Sequence, residues 1–186
     1  MSPVNCKSNI MKKVYPIEER CIGCHLCEVA CIVEHSREKN PVSAYFTEGL
    51  TFNPEMSSYT PEPNQALADN RPKPLNRCIV EENGTLCLST NCRHCEEASC
   101  ILACKNGSLY KDDEGRVLLN EKKCVGCWMC VMACEYGSIS RNVYIKNVPS
   151  VENNAIQHHC DLCPEREEPA CVMVCPTKAL VSENRT

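Results

Sequence analysis

Apolar and polar positions alternate along this chain only in short runs, and turn residues punctuate them. Leu109-Tyr110-Lys111 leads into Asp112-Asp113-Glu114-Gly115 and returns as Val117-Leu118-Leu119, the pattern of a β-hairpin. A second hairpin is predicted before it, with Cys78-Ile79-Val80, a turn over Glu81-Glu82-Asn83-Gly84, and Thr85-Leu86-Cys87-Leu88 returning. Asn-Gly suits such a turn because both residues tolerate a positive φ. Helical periodicity is confined to single turns. From Cys27 to Cys31, Cys100 to Cys104 and Cys130 to Cys134, a separation of four residues puts two sulfurs on one helix face. Ala30, Ala103 and Ala133 favour the helix there and add little bulk.

Between these signals lies a stretch of another kind. From Ile32 to Arg77 there are prolines at 41, 54, 61, 63, 72 and 74 with polar residues between them, so the segment is expected to be mostly irregular. Its Tyr45, Phe46, Leu50, Phe52, Met56 and Tyr59 are more apolar than a solvated linker requires, which points to a loop that packs on the body or on a partner. No run of about 18 apolar residues occurs, so no membrane span is expected. Met1 to Tyr15 carries lysines without an apolar stretch of signal length, and a cytoplasmic setting is the expectation.

Composition changes the picture of the core. The 186 residues include one Trp, two Phe and six Tyr but 19 Cys, so the usual apolar interior is thin and cysteine must supply part of it. In a reducing compartment dense cysteines act as metal ligands rather than disulfides, and an odd count fits a closed disulfide framework poorly. The formal net charge of -4, without a long basic run, excludes a nucleic-acid footprint. No nucleotide-binding glycine pattern or nucleophile constellation appears, so no catalytic site is expected.

Sixteen of the cysteines form four blocks: Cys21, Cys24, Cys27, Cys31; Cys92, Cys95, Cys100, Cys104; Cys124, Cys127, Cys130, Cys134; and Cys160, Cys163, Cys171, Cys175. Every block opens with Cys-x2-Cys and closes with Cys-x3-Cys. In the first and third, three thiols share one tight loop, with Gly23 and Gly126 free to take the backbone conformations that a bulky centre demands. That spacing is the Cys-x2-Cys-x2-Cys-x3-Cys run of bacterial iron-sulfur proteins. The second and fourth blocks have longer middle loops, and only Cys175 is followed by the proline of that run, at Pro176. A zinc-binding interaction module is the alternative, but zinc sites pair two knuckles and have no use for three thiolates in seven residues. Soft thiolate sets so spaced favour iron-sulfur clusters. Four oxidised cubanes, each roughly 2- with its thiolates, would make the loaded protein strongly acidic and its partners basic in patches.

Cys6, Cys78 and Cys87 fall outside the blocks, and the latter two are expected as small buried residues of the first hairpin. His25, His94, His158 and His159 flank complete cysteine sets and are expected to support them or lie on the surface. Trp128 is expected to shield a cluster from water, and Glu165 to Glu168 to form a solvated face.

Glu19-Arg20-Cys21-Ile-Gly-Cys-His-Leu-Cys27 and Cys124-Val-Gly-Cys-Trp-Met-Cys-Val-Met-Ala-Cys134, within a stretch from Tyr15 to Leu180, resemble the four-cluster ferredoxin-like subunits of multisubunit oxidoreductases. Within that group the chain is most similar to the ferredoxin-like partner of nickel carbon monoxide dehydrogenase. Electron-transfer subunits of aldehyde oxidoreductase, formate dehydrogenase and hydrogenase are similar at this level. The resemblance implies an α+β fold of two bacterial-ferredoxin-like modules, each with two [4Fe-4S] clusters, short helices, small hairpins and much irregular loop. It implies an outer module of residues 14–49 plus 150–186, a proline-rich insertion at 50–76 and an inner module at 77–149.

It also implies crossed ligation. One cluster would take Cys21, Cys24, Cys27 and Cys175, and its neighbour Cys160, Cys163, Cys171 and Cys31. In the inner module Cys92, Cys95, Cys100 and Cys134 would hold one cluster, and Cys124, Cys127, Cys130 and Cys104 the other. The function implied is a non-catalytic relay from a catalytic subunit, carbon monoxide dehydrogenase, to a hydrogenase, a flavin-dependent NAD(P) reductase or a ferredoxin. A compact chain of this length has a radius of gyration of about 16 Å, a span that needs several centres rather than one.

Overall fold

The computed structural model describes residues 12–36, 39–46, 77–141 and 157–184. Cys6 and the proline-rich stretch from 47 to 76 lie outside them.

Eight short strands form four separate antiparallel pairs. β1 (Lys13–Pro16) pairs with β8 (Leu180–Glu183) in the register Val14 opposite Ser182 and Pro16 opposite Leu180. β2 (Cys78–Asn83) and β3 (Leu86–Asn91) form a hairpin closed by Gly84-Thr85, with Asn83 still paired to Leu86, so the turn falls one residue later than the Asn-Gly reading. β4 (Leu109–Lys111) and β5 (Val117–Leu119) form the next. A two-residue ladder joins β6 (Ser140–Arg141) to β7 (Gln157–His158). The β4–β5 turn is tied by its own side chains: the Asp112 carboxylate accepts the backbone N–H groups of Glu114 and Arg116 at 3.1 and 2.7 Å, and Arg116 Nε at 2.6 Å.

Among the described residues, five helices carry the cysteines or follow them. α1 (Leu26–His35) runs a full turn past Cys31, and α2 (Pro41–Phe46) lies inside the segment expected to be irregular. The reason for α2 is a capping arrangement: Pro41 sits at the first helical position, and the Asn40 side chain accepts the Val42 N–H at 2.8 Å. α3 (Ser99–Ala103), α4 (Met129–Ala133) and α5 (Ala170–Val174) are single turns between ligand-type cysteines. α1 packs against α5 and α3 against α4.

Two buried clusters result. The larger joins Val14, Val80, Leu162 and Leu180 to Cys27, Cys31, Cys78, Cys92, Cys160 and Cys171, so more than half of it is cysteine. The smaller contains Ala98, Leu109 and Val117, with Cys95, Cys100, Cys104 and Cys130 packed on it. The β2–β3 hairpin, in the segment 77–149 read as the inner module, packs on α1 and β1 through Cys78 and Val80. Among the described residues, no helix is long and apolar enough to cross a membrane.

Candidate metal centres

The opening Cys-x2-Cys pair of each block shares one device, a backbone at positive φ at the residue before the second sulfur. That residue is Gly23 (φ 63°), His94 (45°), Gly126 (64°) or Leu162 (66°). In the first and third blocks the match extends further. A 3-10 turn, Glu18–Arg20 or Glu121–Lys123, delivers Cys21 or Cys124. A left-handed residue, His25 or Trp128, then starts α1 or α4. Gly23 could not carry a side chain: a Cβ there would lie 2.7 Å from Glu82 Oε1 and 2.9 Å from Cys87 Sγ at the hairpin. Cys87 is thus half-exposed against the first loop rather than buried within the hairpin.

The turns concentrate sulfurs. Cys104, Cys124, Cys127 and Cys130 line one cavity with Gly126 and Trp128. Cys92 lies within electrostatic reach of Cys100, Cys134 and Cys95, and burial foremost, then these neighbours, pushes its thiol up to about 12. Burial and the nearby Cys124 and Cys104 likewise push Cys130 to about 11. Cys163 is raised to about 11 by burial with Cys31 near it, and Cys160 is raised by burial and Cys31. In Cys171 the hydrogen bond with Cys78 acts downward, but burial and its neighbours Cys160, Cys31 and Cys163 outweigh it. Of the remaining set, Cys27 and Cys175 pack in the larger cluster, Cys21 is half-buried and Cys24 exposed.

Backbone N–H groups point at sulfurs in the first, second and fourth blocks. Arg77 donates to Cys31 at 3.2 Å, His94 to Cys92 at 3.4 Å, Ser108 to Cys104 at 3.2 Å, Leu162 to Cys160 at 3.4 Å and Ala179 to Cys175 at 3.1 Å. At Cys104 and Cys175 such donors overcome burial and hold the thiol below its ordinary value. The donor set is therefore all sulfur, crowded, and prepared for negative charge by N–H dipoles. Thiols that burial alone would keep neutral become ligands when a cationic centre compensates them, so the residues fit an iron-sulfur cluster.

His94 and His159, expected to support the cysteine sets or to lie on the surface, are buried and tie down the backbone near them. His94 is fully buried; its Nδ1 accepts the Val117 N–H at 2.9 Å, and His159 Nε2 donates to the Val117 carbonyl at 2.9 Å. Burial pushes His94 down to about 3 and lowers His159, so both act as neutral imidazoles. Asp161, between Cys160 and Cys163, accepts His35 Nε2 at 3.1 Å, an Arg77 guanidinium N–H, and the Cys163 N–H at 3.0 Å. Burial works against the Asp161 charge, but His35 and Arg77 hold its carboxyl well below the usual range. His35, Asp161 and Cys163 come within 4.8 Å of one another as a metal-ligating trio could, but Arg77 already supplies the cation there. His25 bridges Glu28 at 2.8 Å and Glu82 at 3.2 Å. Trp128 is half-buried beside Cys127, and residues 164–168 are exposed, with Arg166 reaching back to Glu34 at 2.7 Å.

Two contacts had no sequence signal. Cys78 is 2% exposed and lies 2.9 Å from Ser89 Oγ across the hairpin, and Ser89 Oγ is 3.6 Å from Cys27 Sγ. The hydrogen bond with Cys171 and then burial hold Cys78 well above the ordinary thiol value.

Residues 84–185 match the 4Fe-4S dicluster domain family. An iron-sulfur protein of Rhodospirillum rubrum is 32% identical over 97% of this chain and 84% of its own. The electron transport protein HydN of Escherichia coli (strain K12) is 35% identical over 89% of this chain and 84% of its own. The thiosulfate reductase electron transfer subunit PhsB of Salmonella typhi is 30% identical over 88% and 70%.

Proposed function

The chain belongs to the 4Fe-4S dicluster domain family and is an electron-transfer iron-sulfur protein; from that premise we propose that it relays electrons through four [4Fe-4S] clusters. The observation that carries the proposal is the cavity that collects Cys124, Cys127 and Cys130 from one block and Cys104 from another. A block closing on the fourth cysteine of its neighbour is what crossed ligation requires. The electrostatic neighbourhoods of Cys92 with Cys134, and of Cys163 and Cys171 with Cys31, support the same exchange in two further sets. Cys21, Cys24, Cys27 and Cys175 complete the assignment.

Each cluster, when bound, accepts and returns one electron at a potential set by its sulfurs and their surroundings. The chain's own residues position and tune. The positive-φ loops aim the thiolates, the N–H groups of Arg77, His94, Ser108, Leu162 and Ala179 stabilise their charge, and Trp128 limits water at the cavity it lines with Cys104, Cys124, Cys127 and Cys130. No group on these loops is arranged to transform a substrate, so the chain works beside a catalytic oxidoreductase subunit.

Relatives named as electron transport proteins or electron-transfer subunits support that role. The Cys21–Cys27 and Cys124–Cys134 stretches favour carbon monoxide dehydrogenase as the catalytic partner, with a hydrogenase, flavin-dependent NAD(P) reductase or ferredoxin as acceptor. Subunits of aldehyde oxidoreductase, formate dehydrogenase or hydrogenase complexes are the second reading. Anaerobically purified protein should hold roughly sixteen irons with sulfur-to-iron charge-transfer absorption. Zinc without that absorption would refute the proposal, and identification of the catalytic subunit that co-purifies decides the partner.

A further inference from the structure

The β2–β3 hairpin brings two small polar groups, both 2% exposed, into the midst of ligand sulfurs that belong to different sets. Ser89 Oγ stands 2.9 Å from Cys78 Sγ and 3.6 Å from Cys27 Sγ. Cys78 packs in the same buried cluster as Cys27 and Cys171, and Cys171 acts on its thiol as a hydrogen-bond partner. On the four-cluster reading, on which this inference rests, Cys27 serves one outer centre and Cys171 the other, while Cys78 and Ser89 serve neither.

Counting hydrogens decides what the pair can do. Ligand thiolates only accept, so the S–H of Cys78 and the O–H of Ser89 are the two donors in the group. A 2.9 Å link between them needs a hydrogen of its own, because two lone pairs at that distance repel. One hydrogen then remains. With Ser89 donating to Cys78, the S–H goes to Cys27 or Cys171; with Cys78 donating to Ser89, the O–H goes to Cys27. Rotation of two light groups switches between these states without any proton leaving its atom.

We propose that Cys78, steadied by Ser89, is a single hydrogen-bond donor shared between the two outer centres, through Cys27 of one and Cys171 of the other. A hydrogen bond to a ligand sulfur raises a cluster's potential, because it stabilises the more negative, reduced state. One electron arriving at either outer centre therefore draws the donor towards it and leaves the other centre harder to reduce. The pair adds to the separation of the outer potentials and disfavours both being reduced together.

The test is a dithionite redox titration of the loaded full-length protein, followed by electron paramagnetic resonance, with iron counted in the same samples. Cys78→Ala leaves Ser89 to serve Cys27 and should lower one of the four midpoints. Cys78→Ala with Ser89→Ala should lower two and leave the others in place. Cys78→Ser, which keeps a donor, should restore the wild-type values. Iron should stay at roughly sixteen throughout. Unchanged midpoints in the double variant, or loss of one cluster's iron in Cys78→Ala, would overturn the proposal. Wild-type protein without iron-sulfur absorption would instead overturn the reading beneath it.

Discussion

His94, in the second cysteine block, and Val117, on β5, meet in a buried hydrogen bond: the imidazole Nδ1 accepts the strand's N–H at 2.9 Å. Val117 is 1% exposed, so the amide has no water to turn to. His94→Leu should lower stability by about 1–3 kcal/mol, the cost of stranding a buried donor. His94→Asn, whose Oδ1 falls near the position of Nδ1, should recover much of it. Thermal melts of the loaded protein compare the two; equal losses would make the effect one of packing.

Gly23→Ala meets both a left-handed backbone at φ 63° and the Glu82 and Cys87 side chains. Gly84→Ala meets the same backbone, φ 64°, in open space. The second should cost about 1 kcal/mol from the backbone alone, and the first more, about 1–3 kcal/mol. Melting temperatures that rank the other way would show that Glu82 and Cys87 yield freely.

On the crossed ligation proposed above, iron losses should overlap. Cys104→Ala and Cys124→Ala should each remove about four of roughly sixteen irons, and the double variant about the same four. Cys100→Ala with Cys104→Ala, two residues of one block, should remove about eight. Iron analysis after anaerobic purification distinguishes crossed from in-block ligation.

Stripping iron should unfold the chain. The smaller core offers only Ala98, Leu109 and Val117 as fully buried apolar residues, and most of the larger one is thiol. When so little apolar surface is buried, metal binding supplies the folding free energy. Circular dichroism of chelator-treated protein should show loss of the helical signal, and a cooperative melt of iron-free chain would contradict this.

The β4–β5 turn carries its own pH dependence. Burial opposes ionisation of Asp112, but the Arg116 side chain and backbone outweigh it and hold the carboxyl below its ordinary value. A carboxyl depressed on folding contributes stability above its unfolded pKa of about 3.9, and the contribution is lost as pH falls through the lower folded value. Asp112→Asn should cost about 0.5–1 kcal/mol at neutral pH, modest because solvent screens the pair. The gap from wild type should close below about pH 4. A gap that persists in acid would assign the effect to the turn's neutral hydrogen bonds.

Local chemistry was legible in the sequence, and chemistry assembled across the fold was not. The β4–β5 hairpin lies where Asp112 to Gly115 placed it, and the β2–β3 turn one residue past the Asn83-Gly84 reading, because a turn is decided by adjacent residues. The single helical turns fell to cysteine spacing in the same way. By contrast α2 was missed because its Asn-Pro start was hidden among prolines read as breakers. The two-residue β6–β7 ladder is too short to leave a pattern. The Val117 clamp, the Asp161 braces and the Cys78–Ser89 pair join side chains to distant partners, and no spacing encodes that. His94 and Leu162 occupy left-handed positions where glycine was the expected marker. Their fixed neighbours, rather than intrinsic preference, hold them there.

The pairing of β1 with β8 bears on how the molecule is made. Lys13–Pro16 leaves the ribosome long before its partner, Leu180–Glu183, and waits unpaired while the chain between them is made. The stretch from Cys92 to Cys134 carries its own hairpin, β4–β5, and its own helix pair, α3 on α4, and can collapse first. Until β8 arrives, Val14 and the thiols beside it are covered by the β2–β3 hairpin on one side only. An iron-loading machinery would therefore meet a half-closed intermediate with open outer sites, and truncation before Leu180 should trap that species.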